Sequence, residues 1–303
     1  MAGLSAAIYL GRAQRLTLLI DSGKSMAAWE PEVQNYLGFP KGISGECLLA
    51  RGREQAKRSG VHFAADEIVA VGKRKTVFDL RGRKRRYRGG AVLLATGIFH
   101  IPPAINGVEA CLGHSMFFCK DCDGARVRRK RIAIYGANNE TADYALGMLM
   151  FSSKVSIVTD GKTPRWGKAR ARWIREYQLP VFRKEIQRAI CRGCDIQSLE
   201  FSDGTELSLE ALFTTRGDLY HNKLAKMLGA RVAGGEVVVD ADMRTSVEGL
   251  YAAGCITPAN CQMIIAAGQG ATAAQAMNRD LFLKSLALHA LRRDCDSARD
   301  RDG

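Results

Sequence analysis

The sequence predicts an α/β protein built from two nucleotide-binding-type domains of the same plan. Three observations predict it. A helix, a strand, an acid and a glycine follow one another near the start, and a second cycle of this kind begins near residue 131. Buried apolar strands run straight into glycine turns, as in GAVLLATG (90–97) and RIAIYG (131–136). Glycine is frequent (31 residues), proline is scarce (7) and 47% of residues are hydrophobic, a balance that suits many tight strand-to-helix turns around a large core.

The elements follow in order. Residues 2–13, rich in Gly and Ala, predict a helix packed closely on a sheet. RLTLLIDSG (15–23) predicts a short strand ending in an acid. Residues 45–59 predict a helix, with Leu48, Leu49 and Ala56 on one side and charges on the other. Residues 61–82 alternate and carry β-branched side chains, which predicts strands joined by turns. In the second cycle, RIAIYG is a buried strand, 139–151 a helix and KVSIVTDG (154–161) a strand followed by an acid and a glycine. Residues 236–254 read as strand, turn, strand and glycine, and 263–286 as a long helix with its Gly and Ala in the first half. The charged tail beyond Leu291 is expected to fray.

Composition bounds the function. No apolar run reaches the ~18–20 residues of a membrane span. The N-terminal stretch lacks the basic flank and cleavage site of a secretory signal. The nine cysteines are odd in number and mostly sit in apolar or irregular settings, so a cytoplasmic protein with a catalytic rather than structural thiol pair is expected. The net charge is +14, concentrated in 81–88, 127–131 and 165–175. These runs read as solvated turns, or as docking sites for an acidic partner. Nucleic-acid binding has charge in its favour but no recognition motif. The five histidines, His62, His100, His114, His221 and His289, show no metal spacing, and no metal site is expected.

Cys119 and Cys122 carry the chemistry. Disulfide exchange needs one thiol that meets the partner and a second that resolves the mixed disulfide. Two intervening residues place both sulfurs within bonding distance at a helix start, where amides and cations such as Lys120 lower a thiol pKa. Asp123 follows directly. The competing readings are two buried thiols or half of a zinc site. A second Cys-x-x-Cys, Cys191 and Cys194, lies 69 residues past Cys122, too far for common zinc ribbons, and reads as a hairpin turn. His114, five residues before Cys119, reads as an ordinary loop residue or as a group that tunes the thiol.

With GLSAAIYLGRA near the start, NYLGFPKGISG (35–45), LLATG, CKDCDG and the late TSVEGLYAAG in this order, the chain resembles the low-molecular-weight thioredoxin reductase family across roughly residues 1–288. The resemblance implies two Rossmann-like domains: a discontinuous FAD domain at about 1–107 plus 236–303, and an inserted nicotinamide-type domain at about 108–235 that carries the Cys pair. It implies that Cys122 faces the flavin, Cys119 meets the substrate disulfide and Asp123 handles protons. The substrate would be a thioredoxin-like protein or a small disulfide. A homodimer is expected, as is a swing between domains about Gly107, Gly113, Gly234 and Gly235.

Cofactor contacts follow from the same resemblance. Gly3 matches the third glycine of the FAD fingerprint, and Asp21, 18 residues later, suits the adenosine ribose. Asn35, Thr96 and Gly97 fall in matching flavin segments. The family's first strand and first two glycines have no match, so a chain shortened at its N-terminus is expected. In AAGCITPANCQMIIAAGQG, Cys255 stands after Gly254 where the family has an acid, and Gln262 and Ala266 would face the isoalloxazine ring. For the nicotinamide, Gly136 matches the first fingerprint glycine. Asn138 replaces the second and would tolerate a positive φ; Thr141 replaces the third. Asp160 stands where NADPH users carry a basic cluster, which favours NADH over NADPH. A ferredoxin-type donor is the alternative. Two other functions stay open: a catalytically impaired scaffold, and a ferredoxin- or NAD(P)H-linked flavin reductase without dithiol chemistry.

Overall fold

The structure is a computed structural model that describes residues 1–215 and 217–288. The expected fraying beyond Leu291, and His289, lie outside the described residues. Two compact units divide the chain. The first comprises Met1–Ser25, Leu49–Gly97 and the residues from Tyr220 onward; the second comprises Met26–Leu48 and Ile98–Leu219. The divisions between these units fall at Gly97/Ile98 and Leu219/Tyr220, and residues 26–48 go with the second unit.

In the first unit, the helices Ala2–Arg12 and Met263–Ala287 pack together through small residues. Ala6 and Leu10 meet Ala274, Ala276 and Met277 in one buried cluster, and Ala2 meets Ala266 and Ala273 in another. Backbones can approach this closely only where side chains are minimal. A Cβ on Gly270 would collide with the Ala2 carbonyl oxygen, and a Cβ on Gly3 would stand 3.3 Å from the Ala95 Cβ. The expected strands are present. Leu18–Asp21 pairs in parallel with His62–Ala65, and Val92–Leu94 in parallel with Leu250–Ala252. Among the described residues, no β-ladder joins these two pairs. Ile68–Arg74, Val77–Gly82 and Arg86–Gly89 form a three-stranded antiparallel sheet, whose Phe78 is fully buried.

The second unit is built on a parallel sheet of five strands. Its order is Val181–Phe182, Val155–Val158, Ile132–Tyr135, Ala211–Thr214, Met116–Phe117. The Ile132–Tyr135 strand is buried along its whole length, because both faces of the sheet are covered. On one face Ile132 and Ile134 pack on Ala142, Ala145 and Met148 of the helix Asn139–Met148. On the other, Ala133 and Tyr135 pack on Ile196, Leu199 and Phe201 of an antiparallel layer. That layer contains the hairpin Ile186–Arg192/Asp195–Phe201, with Gly193 at φ +61° in its turn. Cys194 lies in this turn and Cys191 in the strand before it, in keeping with a hairpin.

The four expected hinge glycines all lie inside units. A Cβ on Gly107 would stand 2.8 Å from the Ala189 carbonyl oxygen, and one on Gly113 would stand 2.6 Å from that of Trp29. Gly234 and Gly235 form the turn between Val232–Ala233 and Glu236–Val237. A Cβ on Gly234 would meet open space, whereas one on Gly235 would stand 2.6 Å from the Tyr220 ring.

Two glycines in one helix give opposite expectations. Gly270→Ala should destabilise the protein by roughly 1–3 kcal/mol through overpacking. Gly268→Ala, with nothing within 4 Å of the added Cβ, should stabilise it by up to about 1 kcal/mol. Urea denaturation of both variants checks the pair.

Candidate active site

The parallel sheet of the second unit delivers three functional turns at the carboxyl ends of its strands, where α/β sheets place ligand sites. Phe118 and Cys119 follow the edge strand Met116–Phe117, Gly136 follows Ile132–Tyr135, and Thr215 follows Ala211–Thr214.

Cys119 and Cys122 form a disulfide with Cα atoms 5.3 Å apart. Cys119 caps the short helix Lys120–Asp123, and its sulfur accepts the Cys122 N–H at 3.1 Å. The Asp123 N–H is bonded to the Cys119 carbonyl oxygen at 3.1 Å. Asp123 is buried, with its carboxylate 2.9 Å from an Arg126 nitrogen. Burial pushes the Asp123 carboxyl up and outweighs the opposing pull of Arg126. Arg126 also reaches the Gly113 carbonyl oxygen and Glu32, and lies over the Phe117 ring. Gly124 has no room for a side chain: a Cβ would stand 2.5 Å from the Phe151 ring. Lys120 pairs with Asp121 and lies over the Tyr144 ring. The Tyr144 hydroxyl donates to the Phe118 carbonyl oxygen at 3.0 Å.

A second acid stands beside this turn. Glu30 lines a small pocket with Met26, Trp29, Leu112, Gly113, Met116, Phe117 and Phe118. Burial, reinforced by the negative charge of Asp123, pushes the Glu30 carboxyl up to about 7. The Asp123–Arg126 pair could have been read from their i,i+3 spacing. Glu30 had no sequence signal, since it is 93 positions from Asp123. His114 is an exposed loop residue.

Two further cysteines of this unit, Cys111 and Cys191, face each other. The Cys191 sulfur lies 2.7 Å from that of buried Cys111. Burial and Cys111 push the Cys191 thiol up to about 12, away from the nucleophilic thiolate.

In the first unit, several residues assigned to flavin gather around Met1–Gly3. Asp21 ends its strand, accepts the Gly23 N–H at 2.9 Å and pairs with Arg53 at 2.9 Å. Burial opposes its ionisation, but the Gly23 amide and Arg53 outweigh it and hold the carboxyl below its usual range. A Cβ on Gly254, at φ +82°, would stand 3.1 Å from the Ala2 Cβ. The Gly254 N–H donates to the Gln269 side-chain oxygen at 2.8 Å. Gln262 caps the helix Met263–Ala287, and Ala266 is buried on it against Ala2. Gly97, at φ +64°, opens onto free space, while exposed Thr96 donates to the His221 carbonyl oxygen. Asn35 is exposed and belongs to the second unit. An ionised strand-end acid, an open glycine turn and a long helix start beside a Gly/Ala cradle fit a flavin dinucleotide.

Cys255 is bonded to Cys261 in a second disulfide, with Cα atoms 4.9 Å apart. Its partner was visible in AAGCITPANCQ but was not paired there. Arg53 and Gln269 were also missed; nothing in the linear pattern marks them.

The nicotinamide turn departs from expectation. Asn138 has φ −110°, not a positive value. It is extended because it caps the helix Asn139–Met148 in a reciprocal capping box with Thr141. The space above Gly136, at φ +147°, is filled by the hydroxyls of Thr141 and Thr215, which are 2.7 Å apart. Asp160 accepts the Tyr135 hydroxyl and the Ile186 N–H, each at 2.9 Å. These groups satisfy one another in the turn where the resemblance places the nicotinamide dinucleotide. Among the described residues, no group of three or more His, Cys, Asp or Glu could hold a metal ion, and no helix is long and apolar enough to cross a membrane.

Comparison with known proteins agrees with this geometry. The family model for pyridine nucleotide-disulphide oxidoreductases matches residues 1–277. Thioredoxin reductase of Treponema pallidum is 31% identical over 91% of this chain and 92% of its own. The atypical thioredoxin reductase TRi of Desulfovibrio vulgaris is 30% identical, with 93% of this chain and 95% of that one covered and a TM-score of 0.52. Thioredoxin reductase of Streptococcus pyogenes, 21% identical with 93% and 95% covered, shares the fold at a TM-score of 0.88.

Glu30 gives the site a pH signature. Its folded carboxyl titrates near 7, above the ordinary 4.5, so between these values the folded protein holds a proton that the unfolded chain has lost. Stability therefore falls as pH rises through that window. Glu30→Gln should flatten this slope and gain roughly 1–3 kcal/mol over the wild type at pH 7.5 relative to pH 4.5. Denaturation midpoints at the two pH values measure it.

Proposed function

Because this chain belongs to the pyridine nucleotide-disulphide oxidoreductase family, we propose that it is a thioredoxin reductase-type enzyme, reducing the disulfide of a thioredoxin-like protein or a small molecule through Cys119 and Cys122. The observation that carries this reading is the Cys119–Cys122 disulfide at a helix cap, with buried Asp123 in the same turn.

Bound FAD would supply the electron pair that opens the Cys119–Cys122 disulfide; Gly3, Asp21, Gly97, Gly254, Gln262 and Ala266 are the residues proposed to hold it, with Asn35, Thr96 and Cys255 assigned beside them. The protein's own groups do the rest. The Cys119 thiolate attacks a sulfur of the substrate disulfide, forming a mixed disulfide and releasing the first substrate thiolate. Cys122 then attacks the Cys119 sulfur, closes the internal disulfide and releases the second. Asp123, its carboxyl raised by burial, is the acid that gives a proton to a departing thiolate. Arg126 fixes the Asp123 carboxylate in place.

The electron donor is proposed to be NADH rather than NADPH, because the Asp160 carboxylate would repel a 2′-phosphate. A ferredoxin-type donor is the alternative that the filled Gly136 turn supports. A homodimer in the cytoplasm completes the reading. Exposed Phe282, Leu283 and Leu286 supply an apolar stripe for the dimer.

Cys122→Ser should abolish turnover of a thioredoxin-type disulfide while donor-dependent bleaching of the flavin absorbance persists. Disulfide turnover that survives this substitution would overturn the reading. Asp123→Asn should lower disulfide turnover about 10²-fold, the ordinary contribution of a positioned acid, with flavin reduction unchanged. Stopped-flow absorbance and thiol release separate the two half-reactions.

A further inference from the structure

The second disulfide has no part in the reaction above. Cys255 directly follows Gly254, which abuts Ala2 and Gln269, and Cys261 directly precedes Gln262, the cap of the helix Met263–Ala287. The bridge therefore ties the end of the strand Leu250–Ala252 to the start of that helix. The two sulfurs differ in access: Cys255 is half-buried, whereas Cys261 is exposed, as are Pro258, Ala259 and Asn260. The first half of the turn is held without the bridge. Thr257 donates through its N–H and its hydroxyl to the Gly254 carbonyl oxygen, and its hydroxyl also reaches Gln269. Residues 258–261 form no helix or strand. In the exposed half the Gln262 N–H donates to the Asn260 carbonyl oxygen at 2.8 Å, and the covalent link joins that half to Cys255.

We propose that Cys255 and Cys261 are a second, reversible dithiol–disulfide couple, opened through solvent-exposed Cys261 by a small dithiol, and that its oxidation state sets how firmly the turn 255–262 and the flavin-holding groups at its two ends are held. The flavin part of this inference rests on the proposed function. The reaction balances as ordinary exchange. A thiolate of the dithiol attacks the Cys261 sulfur, the Cys255–Cys261 bond breaks, and Cys255 leaves as a thiolate that takes up a proton. The second thiol of the reductant then resolves the mixed disulfide, leaving two protein thiols and one reductant disulfide. Reaction at the exposed sulfur follows from access alone. The bridge restrains a short loop, and opening it returns conformational freedom to that loop.

The test uses the intact protein, air-oxidised and then treated with millimolar dithiothreitol without denaturant. N-ethylmaleimide labelling with peptide mapping reads the thiols. Hydrogen–deuterium exchange reads residues 256–264. Cys255 and Cys261 should be unlabelled in the oxidised protein and both labelled after reduction, and they should close again on removal of the reductant. Exchange over 256–264 should rise several-fold on reduction, while the Cys119→Ser/Cys122→Ser variant behaves identically at this turn. Flavin release should speed up several-fold in parallel. Free thiols at 255 and 261 in the oxidised protein would overturn the proposal. So would a bridge that opens only on unfolding, or equal exchange in both states. Flavin bound equally firmly in both states would overturn the coupling to flavin. A protein that takes up no flavin in either state refutes the functional reading instead, and labelling and exchange still decide the couple.

Discussion

The Arg126 guanidinium is the fixed point of the redox turn. It meets the Asp123 carboxylate, the Gly113 carbonyl oxygen, the Glu32 carboxylate and the Phe117 ring. These partners come from the short redox helix, the loop before the edge strand, residues 26–48 and the edge strand itself. A half-buried cation can hold so many segments together because its planar fork offers five donors and a face for stacking. Without it, two acids with raised pKa values, Glu30 and Asp123, would stand near each other with their main positive neighbour gone. The positive charge thus keeps one acid ionisable next to the sulfurs while burial keeps its proton affinity high. The anchoring of the turn and the balance of charge on Asp123 both involve this one cation.

The first unit relies on a different constraint, the absence of side chains. Gly254 and Gly270 let a strand end and the long helix close on Ala2, and Gly3 lets the first helix close on Ala95. Dispersion at such short separations stabilises the contact, but it leaves no slack for substitution.

Much of this was legible in the sequence. The helices, the buried Ile132–Tyr135 strand and the Cys119–Cys122 pair each follow from local pattern, because hydrophobic period and residue spacing are short-range properties. The hairpin at Cys191–Cys194 was legible for the same reason. What could not be read were pairings across long separations. Arg53 on Asp21, Gln269 on Gly254 and Glu30 beside Asp123 depend on how distant segments meet. Asn138 shows a subtler limit. Its composition allowed a left-handed turn, but its neighbour Thr141 made a capping box the more stable local solution.

The capping box also bears on any attempt to re-engineer cofactor choice. Placing glycine at Asn138 to restore a dinucleotide fingerprint would first strip the helix Asn139–Met148 of its cap, and the Thr141 and Thr215 hydroxyls would still crowd Gly136. Each single replacement on that route is a loss before any gain. A switch in nucleotide preference here is therefore a concerted change of three side chains, and stepwise selection would meet a valley between the two solutions.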